Sequence, residues 1–305
     1  MARAGLDVTL VAREAHVKAI QDNGLQVLSS GRSVSVPIRA VSDPGLVEDV
    51  DLLVLACKSF DTKEMLDGWP GHPGVAFSIQ NGIGQSSELV SRYGGSAIGA
   101  VSMVGATMEG PGKIQHTFGG ATYLGDLTTS TPRSAEVMVE ALSSGLDVLA
   151  IPDIRSVQWS KAVLAVAAMG VVGLTRQRYH RVFLESGSRE VFLELVREAA
   201  LVAVADGAEV VDLPGPLGVA NLLSLADEVA TMRLEKIGRE MVESGETDVR
   251  VSILQAIDRG RPIEIDAVFA DVVSVARLHG VDVPLMENVT RLLTAVDSVI
   301  RDGAL

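Results

Sequence analysis

The chain has 305 residues, enough for two cores rather than one, and its 47% hydrophobic and 21% charged composition places it among globular proteins and outside the disordered class. A net charge of −13, from 39 acidic and 26 basic residues without a basic run, excludes a nucleic-acid footprint and an anionic-membrane surface and points to small-molecule partners. The single cysteine, Cys57, rules out an intrachain disulfide, and the longest uninterrupted apolar stretch, 162–174, is shorter than the ~20 residues that cross a bilayer, so a cytoplasmic protein is expected.

The first residues, MARAGLDVTLVAR, read as a helix tail, a turn at Gly5 and a strand over 7–12. The buried strand and G-x-G-x-x-G turn that open a nucleotide-binding α/β domain do not precede it, and the native polypeptide is expected to start upstream of Met1. Helical composition follows over 13–23, and GLQVLSSGRSVSVPI (24–38) alternates about Ser30-Gly31 as a hairpin would. DLLVLAC (51–57), GVAFSIQ (74–80) and SAIGAVSMVG (96–105) are further strands, with a helix over 85–93. KIQHTFGGATYLGDL (113–127) predicts a second hairpin through Gly119-Gly120; a helix restarts at Thr131, and LDVLAIP (146–152) closes this half at Pro152. From 153 apolar residues recur three and four apart, predicting helices over 154–175, 187–206, 216–243 (broken), 251–259, 263–279 and 285–302. The fold class is therefore α/β: a Rossmann-like domain over 1–152, without its first strand, then an all-helical domain over 153–305, the cleft between them being the default place for a site.

Several residues could carry chemistry. Arg13 ends the first strand, where a dinucleotide fold places an acidic residue for the ribose of NAD or an arginine for the 2′-phosphate of NADP; a solvated strand end would look the same. Lys58 follows LLVLAC with the same two readings. In Gln80-Asn81-Gly82-Ile83-Gly84 the glycines let backbone amides approach a ligand, and Asn81 offers a donor and an acceptor, although Asn-Gly also simply builds turns. Lys161 stands before the most apolar helix. A partly desolvated ammonium there has a lowered pKa and suits a general acid toward a carbonyl oxygen, unless its head snorkels into water. Ser252 and Glu264 bracket SILQAIDRGRPIE, and Glu264 falls in a first helical turn, where it could pair with Lys161 or only cap the helix. The five histidines lack ligand spacing, and no metal site is expected.

Taken in order, AGLDVTLVAR, LLVLACKSFDT, QNGIGQSSEL, EGPGKIQHT, WSKAVLAVAAMGVVGLT and SILQAIDRGRPIEIDAV with HGVDVP resemble the ketopantoate reductases (2-dehydropantoate 2-reductases) over nearly the whole chain. The resemblance implies NADPH-dependent reduction of a 2-keto acid, with Arg13 on the 2′-phosphate, Lys58 beside the cofactor and Asn81 on the nicotinamide ribose or substrate. It further implies Lys161 as general acid, Ser252 on the substrate carboxylate, and Glu264 orienting the lysine and the substrate hydroxyl, in a helical domain that also serves a homodimer. In the family, asparagines follow the lysine by four and eight residues. Here those positions are Ala165 and Met169, which implies a less polar substrate site. Two other readings fit the same residues: a cofactor-impaired relative that binds or dimerises, and an oxidoreductase of the same superfamily with another substrate.

Overall fold

The computed structural model describes residues 1–29, 31–127 and 134–303, which form two compact units, Met1–Gln80 with Ser86–Ile154, and Asn81–Gln85 with Arg155–Leu305. The first is an α/β unit. Its strands are β1 (Thr9–Val11), β2 (Leu25–Ser29), β3 (Arg32–Val36), β4 (Arg39–Val41), β5 (Val50–Leu55), β6 (Pro73–Ser78), β7 (Ile98–Ser102), β8 (Gly105–Gly110), β9 (Lys113–Phe118), β10 (Thr122–Asp126) and β11 (Val148–Ala150). The helices between them are α1 (Glu14–Asn23), α2 (Thr62–Asp67), α3 (Gln85–Tyr93) and α4 (Ser134–Leu142).

Parallel pairing dominates where strands alternate with helices: β1 with β4, β5 with β6, and β10 with β11. A parallel bridge from Ala76 to Ala97 leads from β6 toward β7, which runs antiparallel to β10. The apolar strand pattern accounts for the packing: Phe77, Ile98, Ala100 and Leu124 are buried with Ala135 and Leu142 of α4.

The antiparallel insertion is real but wired differently from the sequence expectation. β2 and β3 form the first hairpin, with Ser30 at its tip outside the described residues. The second hairpin, expected over 113–127, does not form. β9 pairs antiparallel with β8 across Pro111-Gly112 and parallel with β2, whereas β10 pairs with β7 and β11. Gly119-Gly120 instead joins two sheets, and the expected strand over 96–105 divides into β7 and the start of β8. Thr131, where a helix was expected to restart, lies outside the described residues, and α4 is described from Ser134.

The second unit is helical: α5 (Ile154–Thr175), α6 (Tyr179–Leu184), α7 (Ser186–Ala205), α8 (Val219–Ser224), α9 (Asp227–Glu243), α10 (Ser252–Asp258), α11 (Asp271–His279) and α12 (Pro284–Arg301). A five-residue π-helical segment, Asp266–Ala270, runs into α11. α5 has the length and composition to cross a membrane, yet 78% of its most apolar window is buried, as befits the central helix of a protein core. Gly173 lets that core close, since a Cβ there would lie 2.6 Å from Ile253 of α10. The start of α12 is held by Glu198 of α7, whose carboxylate accepts from the amides of Leu285 (2.9 Å) and Met286 (2.7 Å).

Candidate active site

Along α5, every residue from 156 to 173 is buried except Lys161, Leu164 and Ala165. Positions i, i+3 and i+4 share one helical face, so the most buried helix of the protein opens a single window, with a lysine in it. Although part of the Lys161 residue stays accessible, its surroundings are protein: burial lowers the ammonium pKa to about 8, against the opposing pull of the Glu264 carboxylate. Burial and counter-charge thus leave a proton that is bound at neutral pH and easily given up.

Glu264 is 5% exposed, and the residue before it is pinned. The Ile263 amide donates to Asp297 Oδ1 of α12 (2.6 Å), and Arg301 Nε donates to Asp297 Oδ2 (2.6 Å). Glu264 stands just before a helix rather than in its first turn: the chain is helical from Ile265 and widens into the π segment at Asp266, a distortion often found beside functional groups. Against this segment rests the turn from Asn81 to Gly84. Gly82 has φ +101°, and a Cβ on it would stand 2.3 Å from the Ala267 carbonyl oxygen, so only glycine permits the approach. Ile83 packs on the helical core, and Asp271 Oδ2 would lie 2.8 Å from a Cβ on Gly84. Burial, reinforced by the Asp266 charge, raises the Asp271 carboxyl above its ordinary range.

Ser252 opens α10 and directs its hydroxyl at Met169 Sδ, 3.8 Å away. Met169 lies two helical turns beyond Lys161 on the same face of α5 and is 3% exposed. The helical unit with its docked turn therefore contains Asn81, Lys161, Ser252 and Glu264, of which Glu264 acts directly on the charge of Lys161.

Arg13 and Lys58 belong to the α/β unit. Both are exposed and follow the C-terminal ends of parallel strands, Arg13 after β1 at the start of α1 and Lys58 after β5. Arg13 has no ion pair among the described residues.

Two models of one family match this chain: "Ketopantoate reductase PanE/ApbA" over residues 1–129, and "Ketopantoate reductase PanE/ApbA C terminal" over 153–297. The chain belongs to the ketopantoate reductase family. A 2-dehydropantoate 2-reductase from Pyrococcus abyssi is 29% identical over 295 residues, covering 93% of this chain and 88% of the relative. The crystal structure of a PanE/ApbA family ketopantoate reductase from Ralstonia eutropha JMP134 superposes with a TM-score of 0.78 at 25% identity, covering 98% and 93% of the two chains. The fold is also that of a D-mandelate dehydrogenase solved with NADH and anilino(oxo)acetate, with a TM-score of 0.82, 22% identity and coverages of 98% and 93%. The activity is accordingly that of a 2-dehydropantoate 2-reductase-like oxidoreductase acting on a CH–OH donor, and these matches favour neither a non-catalytic relative nor an oxidoreductase with another substrate.

In this family member, two groups are not evident from the sequence. Gln80, 7% exposed, donates through Nε2 to the Cys57 carbonyl (2.8 Å) and Thr62 Oγ1 (2.7 Å) and accepts at Oε1 from Ser78 Oγ (2.9 Å). It thereby ties the loop after β5, which carries Lys58, to the end of β6, which leads into Asn81. A buried glutamine ahead of an Asn-Gly turn was the available signal. Asp297 gave none, because it lies 34 residues from the amide it holds.

Proposed function

We propose that the chain reduces the keto group of 2-dehydropantoate with NADPH. The observation that carries this reading is the lowered pKa of Lys161 in its window on α5, opposed by Glu264. When bound, the reduced nicotinamide supplies hydride to the keto carbon. Lys161 gives its proton to the keto oxygen as negative charge develops there, and a pKa of about 8 leaves the group largely protonated at pH 7 yet a stronger acid than an ordinary lysine. Glu264, fixed through Asp297, favours the ammonium form and orients it. Ser252 turns from Met169 to the substrate carboxylate, and Asn81 meets the nicotinamide ribose or the substrate.

The donor chemistry of the α/β unit fits a phosphorylated dinucleotide. In a chain of net charge −13, Arg13 and Lys58 are exposed cations at the ends of parallel strands, where open α/β sheets meet ligands. Arg13 would hold the 2′-phosphate and Lys58 would lie along the cofactor, so the α/β unit is the NADP-binding domain. The helical unit is then the substrate and dimerisation domain, with Leu201, Val204 and Leu278 as exposed apolar surface for self-association. A chain with Cys57 as its one cysteine, and so without an intrachain disulfide, suits a reducing, cytoplasmic compartment.

The test is oxidation of NADPH by the purified protein with 2-dehydropantoate. Lys161→Ala is expected to lower kcat by about 10²–10⁴ with the Kd for NADPH unchanged; an unchanged kcat removes Lys161 from the reaction.

A further inference from the structure

We propose that the tail of the substrate is read by an apolar wall on α5, made of Leu164, Ala165 and Met169, so that the enzyme takes 2-keto acids branched at C3 whether or not they carry a terminal hydroxyl. This rests on the reductase reading above and sharpens its substrate class.

A 2-keto acid with a terminal hydroxyl presents three polar groups: keto oxygen, carboxylate and hydroxyl. The groups beside the window on α5 are already assigned. Lys161 serves the keto oxygen, Glu264 faces Lys161, and Ser252 has one hydroxyl proton, here directed at Met169 Sδ at 3.8 Å. Beyond Lys161 on the same face, Leu164, Ala165 and Met169 offer no amide or hydroxyl, the Gln158 amide one turn before it is buried at 7% exposure and already engaged, and α5 continues without interruption, so its own backbone hydrogen bonds are made within the helix. Leu164 and Ala165 are the only residues of the window other than Lys161 that are not buried, and Met169 closes its far end at 3% exposure. Such a wall rewards methyl groups. It gives nothing specific to a hydroxyl, and a site that does not hydrogen-bond a hydroxyl discriminates by about 10² at most, against about 10⁴–10⁵ for one that does.

The experiment compares kcat/KM of the full chain, with NADPH, for 2-dehydropantoate and for 3,3-dimethyl-2-oxobutanoate, in which the terminal hydroxymethyl is replaced by methyl. The expected ratio is below about 100-fold. A larger ratio overturns the inference while leaving the reductase reading intact, and its collapse in Asn81→Ala would move hydroxyl recognition to that amide. Turnover of neither acid overturns the reductase reading and the inference with it. Met169→Gln, which places an amide in the volume of the thioether, is expected to shift the ratio at least tenfold toward the hydroxylated acid. Ala165→Asn, on the partly exposed part of the face, serves the same purpose if burial of the glutamine prevents folding. An unshifted ratio in a variant that still reduces 2-dehydropantoate counts against the wall.

Discussion

The two units solve the problem of burial in different ways. In the helical unit, one continuous apolar cluster runs through α5, α7, α10, α11 and α12, and Lys161 opens from it beside the buried Glu264. In the α/β unit the buried residues fall into separate small groups, and β1 and β5 keep most of their side chains only half-buried. Close packing fixes Lys161 and Glu264 tightly enough to set a pKa, whereas Arg13 and Lys58 need only reach a flexible, highly charged ligand. On the proposed assignment, proton transfer sits in the unit with the continuous core and cofactor capture in the unit whose core is divided.

This contrast can be broken at several points. Among changes that leave Lys161 in place, the largest effect is expected from Gly82→Ala. The left-handed backbone costs about 1–2 kcal/mol for an L-residue, and the new Cβ meets the Ala267 carbonyl, so the melting temperature and kcat/KM should both fall, the latter by tenfold or more. Next is the pH profile. Lys161 must be protonated to act as the acid, so kcat/KM for reduction should be level below about pH 8 and fall tenfold per unit above it, and a flat profile to pH 10 would show that the ammonium is not the proton donor. Arg13→Ala should raise the Kd for NADPH about tenfold and leave that for NADH unchanged; equal losses for both would remove the 2′-phosphate assignment. Asp297→Ala, which frees the Ile263 amide and Arg301, should lower kcat several-fold and move the pH break as Glu264 loses its place, without changing cofactor affinity. The smallest signal is hydrogen exchange: amides of α5 should be the slowest, and NADPH should protect β1 and β5 more than α5.

Much of the helical half was legible because burial leaves a periodic trace. The apolar run after Lys161 marks a helix whatever its partners, and a lysine at its edge stands out chemically. The break between α8 and α9 follows from local sequence as well. Strand partners were not legible: alternation in KIQHTF tells which side chains share a face, and Gly119-Gly120 tells that the chain turns, but the choice of β8 and β2 over β10 is made by the whole sheet. The same limit hid the contact of Ser252 with Met169, which spans 83 residues, and the π segment after Glu264, which has no compositional signature.

The turn from Asn81 to Gln85 is flanked on both sides by chain of the α/β unit, yet it counts with the helices. The polypeptide therefore changes allegiance at 80/81, 85/86 and 154/155, and no single cut yields two self-contained modules. Recombination at the obvious junction near 154 would hand on a helical domain stripped of the segment that packs on its π turn. Such a swap would have to carry Gly82 along to keep the close packing against Ala267.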